Sequence, residues 1–366
     1  MSTSDYFLLL RDRTGTELAR IVDFQNLTYI NHRNLVGTCR FDLREANPAV
    51  SLFADKCQLE VYRRNKDMNL DWYVDYYGIV RSLGRSKTDH TMFNVYAPGL
   101  LHMLDWRIVA YKANTSNQST FSSCAAESIM KKVVNYNCTT LAASGAGASL
   151  RERDGEIPGL SVQANAACGA AIDWDCAWDK VLTVCQSVAE SGSGDFNVVK
   201  TASYSWEFRY YKDQLGSDRS ASLVFSTEQG NMADPVKIFD RSEERTIAIV
   251  GGEGREEVRD TAVRTGTNFA ASVNDIEGFA DARNYSASES FEAFGDKKLA
   301  EWKARAVIDF RVVQTEKVFY GRDYFVGDKA KVVFDDDTAA CMIIDSATVR
   351  VHNTGQDTVE IGMENI

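Results

Sequence analysis

Short segments of alternating apolar and polar residues, separated by turn residues, constrain the fold of this chain more than any other feature. Residues 38–43 alternate with period two, and the turn residues 12–16 separate the apolar segments 7–10 and 18–22 as in a β-hairpin. Further segments of this kind lie at 58–62, 72–80 and 91–96. Strands of this length and spacing predict a β-barrel or a β-sandwich.

The pattern changes after residue 104 and returns to strands near 195. Apolar residues at three- and four-residue steps predict helices at 125–134 and at 174–188. Steps of three to five predict another at 288–305, with Phe291, Phe294, Leu299 and Trp302 on one face. The second half contains predicted strands at 196–199, 206–211, 221–225, 246–250, 307–313, 329–334, 341–351 and 358–363. The expected fold class is therefore α+β, mainly β.

These changes in pattern predict three domains. Residues 1–103 form a first β-rich domain, 104–195 a helix-containing insert, and 196–366 a second β-rich domain with an α/β insert at about 252–305. A length of 366 residues is sufficient for two to four domains, each with a buried core.

The acidic balance of the chain argues against two classes of partner. A net charge of −11 disfavours binding to nucleic acid or to an anionic membrane, because both need clustered Lys and Arg. The apolar run 6–10 is too short for a signal peptide, and no segment approaches the roughly 20 residues that span a bilayer. We therefore expect synthesis in the cytosol and no membrane anchor.

Cysteine and histidine spacing gives little support for a metal or redox site. Five of the eight cysteines fall in one window without a Cys-x-x-Cys pair: Cys124, Cys138, Cys168, Cys176 and Cys185. Reduced thiols in the core or on helix faces are the main interpretation, with a disulfide or a metal site as alternatives. The histidines are widely separated, at His32, His90, His102 and His352. No cofactor is expected.

Several motifs resemble catalytic or ligand-binding sites, but each has a simpler interpretation. The glycine-rich segment 251–255 lacks the ending of a phosphate loop and predicts a turn. The carboxylates at 335–337 fit a solvated hairpin end. Two further pairs, Asp173 with Asp175 and Glu256 with Glu257, could serve hydrolysis, although 52 acidic residues make such pairs common by chance. We predict no catalytic residues and no enzyme activity.

Clustered aromatic residues leave three interpretations open. They are Tyr73, Tyr76, Tyr77, Tyr204, Trp206, Phe208, Tyr210 and Tyr211. Packing in the core and across strands is the default interpretation. Stacking on a sugar and contact within an oligomer are the alternatives, because Tyr and Trp supply large rigid areas with one polar atom.

Seven short sequence segments, in this order along the chain, resemble segments of a known protein family. We call each such segment a phrase. The phrases are 26–43, 78–83, 98–109, 225–231, 249–254, 278–284 and 324–333, the last reading Tyr-Phe-Val-Gly-Asp-Lys-Ala-Lys-Val-Val. With these phrases the chain resembles the hub family of siphophage tail tips. It is also similar to the N-terminal hub part of tail-associated lysins and, more distantly, to baseplate hubs of contractile phages.

The resemblance implies a fold and a place in the virion tail. It implies a homotrimer in which each subunit contributes two tail-tube-like antiparallel β-barrels, 1–103 and 196–366, to a ring that adapts a sixfold tube to a threefold tip. The implied partners are the distal tail protein, the tail tube and tape-measure proteins, and a tip or fibre protein. DNA would pass through the lumen without specific binding during ejection.

Two other functions remain as alternatives to a structural hub. One is a tail-associated cell-wall hydrolase, and the other is a carbohydrate-binding tail adhesin. Longer relatives carry a lysin or fibre domain after the hub, so we expect any lytic or receptor-binding activity to reside on another polypeptide. Trp106 and Arg107, at the end of the phrase near residue 100, are expected to anchor a domain junction.

Overall fold

The computed structural model is mainly β with few helices, which confirms the predicted class. The residues that it describes are 4–85, 91–110, 119–140, 156–252, 254, 259–282, 291–334, 339–352 and 356–365. The chain divides into two compact units: the first contains Met1–Asp234 and Phe310–Ile366, and the second is Pro235–Asp309. The insert predicted at about 252–305 falls within the second unit.

The first hundred residues form antiparallel strands. These are β1 (Asp5–Arg11), β2 (Glu17–Ile21), β3 (Gln25–His32), β4 (Thr38–Arg44), β5 (Gln58–Asn65), β6 (Leu70–Ile79), β7 (Ser82–Arg85) and β8 (Met92–Pro98). Two 3-10 helices, Pro48–Leu52 and Leu100–Trp106, accompany them. Strand β4 follows its sequence pattern, because Cys39, Phe41 and Leu43 are buried while Arg40 is exposed.

The next hundred residues combine two α-helices with short strands. The elements are β9 (Thr120–Ala125), α1 (Ala126–Cys138), β10 (Leu160–Val162), β11 (Ala171–Asp175), α2 (Val181–Gly192), β12 (Asp195–Ala202), β13 (Ser205–Tyr211) and β14 (Val224–Phe225). The helix predicted from residue 174 begins later, at Val181. Its first residues instead extend β11, which pairs with β9 and places Trp174 against the core.

The rest of the chain contains one more helix and eight strands in its described part. They are β15 (Met232–Asp240), β16 (Ile247–Gly251), β17 (Thr261–Thr265), β18 (Glu277–Asp281), α3 (Phe291–Glu301), β19 (Arg305–Val312), β20 (Lys329–Val333), β21 (Ala339–Val351) and β22 (Asp357–Asn365). The predicted strand 221–225 is reduced to β14. None of the three described α-helices combines the length and hydropathy that a membrane-spanning helix needs.

Two large sheets build the first unit. One has the order β2-β1-β5-β6, and the other has the order β14-β20-β21-β3-β4-β8-β7 with β22 also on β21. Strands from both ends of the chain pair directly, since β21 is antiparallel to β3 and to β22. The second sheet also contains a parallel pair, β14 with β20. Within the described residues each strand order is an open path.

Helical residues and β13 share one hydrophobic core in the first unit. This core contains Leu101 of the second 3-10 helix, Ile129 of α1, Val184 of α2 and Phe208 of β13. The small sheet β10-β13-β12 covers the helices on one side. The packing follows from the three- and four-residue spacing of the apolar positions on α1 and α2.

The second unit has its own small core. Strand β16 lies between β17, which is antiparallel to it, and β18, which is parallel to it. Val250, Ala280 and Phe294 are buried together where α3 packs on this sheet. Phe291 and Trp302 pack against the same cluster. The apolar face predicted for this helix is therefore confirmed.

Candidate functional site

A fully buried arginine, Arg63, forms the centre of a polar cluster in the first unit. Strand β5 places Arg63 on the same inward face as Leu59 and Val61. Its guanidinium forms an ion pair with Asp357 of β22 at 2.8 Å and lies 3.7 Å from the carboxylate of Asp75 of β6. One buried charge thus joins the N-terminal strands to the last strand of the chain.

Tyrosine hydroxyls complete the hydrogen bonding of these carboxylates. Tyr6 donates to Asp357 at 2.5 Å, and Tyr29 donates to Asp75 at 2.6 Å. Burial raises the pKa of the Asp75 carboxyl, and the charge of Arg63 opposes this effect. Burial also raises the pKa of Tyr29 well above its ordinary value, so its hydroxyl remains a donor at neutral pH.

The segment 319–325 closes the cluster from the C-terminal half. Arg63 donates to the carbonyl of Tyr320 at 3.3 Å, and the rings of Phe319 and Tyr320 lie 5.3 and 5.6 Å from its guanidinium carbon. Asn31 of β3 donates to the Tyr320 hydroxyl at 3.2 Å. Burial and the nearby charge of Asp75 raise the pKa of Tyr73, whose hydroxyl belongs to the same group. We call this group the Arg63 cluster, and its members are Tyr6, Tyr29, Arg63, Tyr73, Asp75, Tyr320 and Asp357.

The segment 324–333, which begins with a tyrosine, holds the start of β20 in place. Asp328, which is 3% exposed, accepts hydrogen bonds from the backbone N–H groups of Ser217 at 2.7 Å and Phe325 at 3.0 Å. It also accepts from the guanidinium of Arg219 at 2.9 Å. The aspartate therefore fixes the start of β20 against residues 217–219, which explains why the phrase needs Asp at this position.

The predicted anchor residues Trp106 and Arg107 line a pocket in the first unit. The pocket has a volume of about 440 Å³, and its wall includes the β1–β2 turn, the end of β6, the second 3-10 helix and the start of β13. Arg107 leaves the 3-10 helix in extended conformation and donates to the carbonyl of Glu156 at 3.0 Å. Tyr204 and Trp206 also line the pocket. We call it the Trp106 pocket.

The second unit exposes an unusual share of large hydrophobic side chains. It contains about a fifth of the chain, but eight of the sixteen exposed large hydrophobic residues in the described part belong to it. This apolar set consists of Val236, Ile238, Phe239, Val263, Phe269, Val273, Ile276 and Phe279. Val263 and Phe279 are both in register with Ile249, on the sheet face opposite α3. Contiguous exposed apolar patches mark contact with other molecules, and Val263 and Phe279 share one exposed sheet face.

The predicted acidic pair on β11 has a structural contact. Asp173 accepts a hydrogen bond from the backbone N–H of Ser123 at 2.7 Å, next to an irregularity in the β9–β11 pairing. Asp175 ends the strand and is exposed. The second predicted pair, Glu256 with Glu257, and the carboxylates 335–337 lie outside the described residues.

The predicted histidines lie on different elements. His32 is on β3, His352 follows β21, and His102 is in the second 3-10 helix, with Nδ1 3.9 Å from the carboxylate of Asp105. His90 lies outside the described residues. Over the described ranges, no group of three or more His, Cys, Asp or Glu residues has the geometry to hold a metal ion.

All eight cysteines are free thiols. Cys39, Cys57, Cys138, Cys176 and Cys185 are buried, and Cys341 is exposed. Burial raises the pKa of Cys176 to about 12. A thiol with so high a pKa is protonated at neutral pH and is a poor nucleophile.

Among the predicted aromatic residues, Tyr73 belongs to the Arg63 cluster, and others lie in the core or at the Trp106 pocket. Trp206, Phe208 and Tyr210 alternate along β13 and are buried in the core with the helices. Tyr76 is buried and donates to the carbonyl of Ala97 at 2.8 Å. Tyr204 is 38% exposed at the pocket. The glycine-rich segment near 251 ends β16, while its residues 253 and 255 lie outside the described part.

Solved structures with this architecture define the class of fold. The tail protein from Neisseria meningitidis MC58 is 12% identical, with a TM-score of 0.57 over 99% of this chain and 97% of that chain. Prophage tail protein gp18 from Listeria monocytogenes EGD-e is 10% identical, with a TM-score of 0.57 over 98% and 94%. The 43 kDa tail protein of prophage MuSo2 from Shewanella oneidensis is 9% identical, with a TM-score of 0.59 over 98% of each. The chain therefore has the fold of phage tail proteins.

The sequence match identifies the family. Residues 7–363 match the model of the Siphovirus ReqiPepy6 Gp37-like proteins, and the chain belongs to this family. The resemblance of the sequence to siphovirus tail proteins is thereby confirmed. No curated protein matches the chain in sequence.

Proposed function

We propose that the chain is a structural hub protein of a phage tail tip or baseplate, and that it acts by assembly rather than catalysis. The observation that carries this proposal is the likeness to tail proteins over nearly the full length of both chains. Its place would be the virion tail. Its partners would be the distal tail protein, the tail tube and tape-measure proteins, and a tip or fibre protein.

The assembly that we propose is a homotrimeric ring, with 1–103 and 196–366 contributing tube-like β domains and 104–195 a helical insert. The apolar set of the second unit supports contact between subunits or with a partner. Val273, at 85% exposed, and Phe239, at 71% exposed, would otherwise leave hydrophobic surface in water.

The charge of the chain is consistent with a channel for DNA. A net charge of −11 per subunit gives a ring that repels phosphate, provided that acidic side chains face the lumen. DNA would then move through the ring without specific binding.

Light scattering of the purified chain over a concentration series tests the proposed trimer. We expect a mass of three times 40.8 kDa. Substituting two residues of the apolar set, Val273→Asp with Phe239→Asp, should raise the dissociation midpoint at least about tenfold, because a buried hydrophobic contact contributes more than about 1 kcal/mol.

The matched control is Val22→Asp, which changes an exposed valine of the first unit, 69% exposed. It should leave the mass and the dissociation midpoint unchanged. A monomer at every concentration, or equal weakening by the control variant, would contradict the proposed role of the apolar set.

A further inference from the structure

We propose that the Trp106 pocket binds an anionic saccharide unit, meaning a sugar ring that carries a carboxylate or a phosphate. This ligand-binding role goes beyond the structural function proposed above. The pocket belongs entirely to the first unit, and its volume of about 440 Å³ falls within the range of small-molecule sites, about 300–1,000 Å³.

The first reason is the charge of the lining. Arg13, Lys56 and Arg107 line the pocket, and no carboxylate among the described residues does. Neither Arg13 nor Lys56 forms a salt bridge with any residue that the structure describes. Arg13 and Lys56, two cations without a salt bridge on one concave surface of a protein with net charge −11, favour an anion.

The second reason is a pair of hydrogen-bond donors without acceptors. Trp106 and Trp206 both line the pocket, and their indole Nε1 atoms are buried without a hydrogen-bond partner among the residues that the structure describes. Trp206 is 5% exposed, so water compensates poorly for the missing acceptor. Because a buried donor without a partner is costly, either indole would gain from an acceptor oxygen that a ligand brought within reach of its Nε1 atom.

The third reason is the aromatic character of the wall. Tyr204 and Trp206 are in edge contact, with ring centroids 5.4 Å apart, and Trp106 of the 3-10 helix lines the same pocket. The Lys56 ammonium lies 5.6 Å from the centre of the Trp106 ring. Aromatic faces and cations together suit a ring with an attached anionic group better than a small inorganic ion, which has no face to stack.

The backbone at Gly159 packs closely against Tyr204 and Trp206 in the pocket wall. Gly159 adopts a positive φ of 80°, and a Cβ atom there would lie 2.6 Å from the carbonyl oxygen of Tyr204 and 3.1 Å from the Trp206 ring. Glycine therefore lets residues 157–160 pack directly against both aromatic residues.

Calorimetric titration of the full chain tests the proposal with four probes: glucuronate, glucose 6-phosphate, glucose and inorganic phosphate. We expect saturable binding of at least one anionic sugar, and binding at least about tenfold weaker for glucose and for inorganic phosphate. Preference for glucuronate would identify a carboxylate-bearing sugar, and preference for glucose 6-phosphate a phosphorylated one.

Variants separate the pocket from the rest of the surface. Arg13→Gln and Lys56→Gln remove exposed cations of the wall, and each should weaken binding about tenfold. Trp206→Phe removes one indole donor and should also weaken it, with thermal unfolding as the check on folding. Lys66→Gln, an exposed lysine on the β5–β6 turn, is the charge-matched control and should change nothing.

Three results would overturn the proposal. They are no binding of either anionic sugar, equal affinity for inorganic phosphate, and equal binding by Arg13→Gln, Lys56→Gln and Lys66→Gln. Because Arg13 and Lys56 are exposed, their variants test the site even if Trp206→Phe does not fold.

Discussion

At the scale of single residues, the Arg63 cluster is the place where the structure most depends on particular side chains. A guanidinium that is 0% exposed needs charge partners and hydrogen bonds, and it obtains carboxylates from Asp75 and Asp357. Removing the arginine would leave both carboxylates buried without a cation. The cluster is therefore a point where one substitution affects strands from both ends of the chain.

We expect Arg63→Met to lower the free energy of unfolding by about 3–5 kcal/mol, because it removes the cation of a buried ion pair and leaves the carboxylates unpaired. Chemical denaturation measures this loss. Arg64→Met, the next residue, is the control, since Arg64 pairs with Asp5 near the surface, where Asp5 is 53% exposed. That variant should cost about 1 kcal/mol or less. Equal losses for the two variants would show that burial of the pair is not what matters.

The sequence contains a signal for this cluster that is easily overlooked. In β5 the inward positions Leu59, Val61 and Arg63 follow period two, so a charged residue stands where the pattern requires an apolar one. An inward charge predicts a buried partner. It does not name that partner, because Asp357 lies 294 positions away along the chain.

At the scale of elements, the segment 319–325 depends on one glycine. Gly321 has a φ of 89°, and a Cβ atom there would overlap the Tyr73 hydroxyl and lie 2.8 Å from the ring carbon that carries it. Tyr73 belongs to the Arg63 cluster, so a side chain at 321 would disturb both the turn and the cluster. Only glycine satisfies the backbone and the packing together.

Gly321→Ala should therefore destabilise the protein by about 2–5 kcal/mol, the combined cost of a left-handed backbone and an overpacked core. Gly230→Ala is the matched control, because Gly230 has a φ of 67° but a Cβ atom there would meet no described atom within 4 Å. Its cost should be about 1–2 kcal/mol. Thermal or chemical unfolding compares the two, and similar costs would mean that the contact with Tyr73 is unimportant.

Elements with strong local patterns were predictable, and those held by distant contacts were not. β4 and α1 carry clear period-two and helical patterns and lie close to their predicted positions. β17 and β18 were missed because they are half exposed and show little apolar alternation. The segment at Trp174 has helical spacing, but pairing with β9 makes it a strand.

At the scale of the whole molecule, the sheet that joins β3 to β21 is the feature that no local pattern predicts. The sequence pattern predicts strands at each end of the chain separately. It does not predict that Tyr29 pairs with Val349, because this register depends on residues far apart in the sequence. The sequence segments that resemble tail hub proteins were sufficient to identify the family. The division into the domains 1–103, 104–195 and 196–366 stays a prediction, as does closure of the strands into barrels.

Electron microscopy of the purified assembly tests the central claim most directly. Averaged end-on views should contain a ring with threefold symmetry and a central opening, because the proposed hub surrounds a channel with three copies of the chain. A closed twofold dimer, or particles that remain single subunits at every concentration, would contradict the proposal that this tail protein works as a trimeric ring.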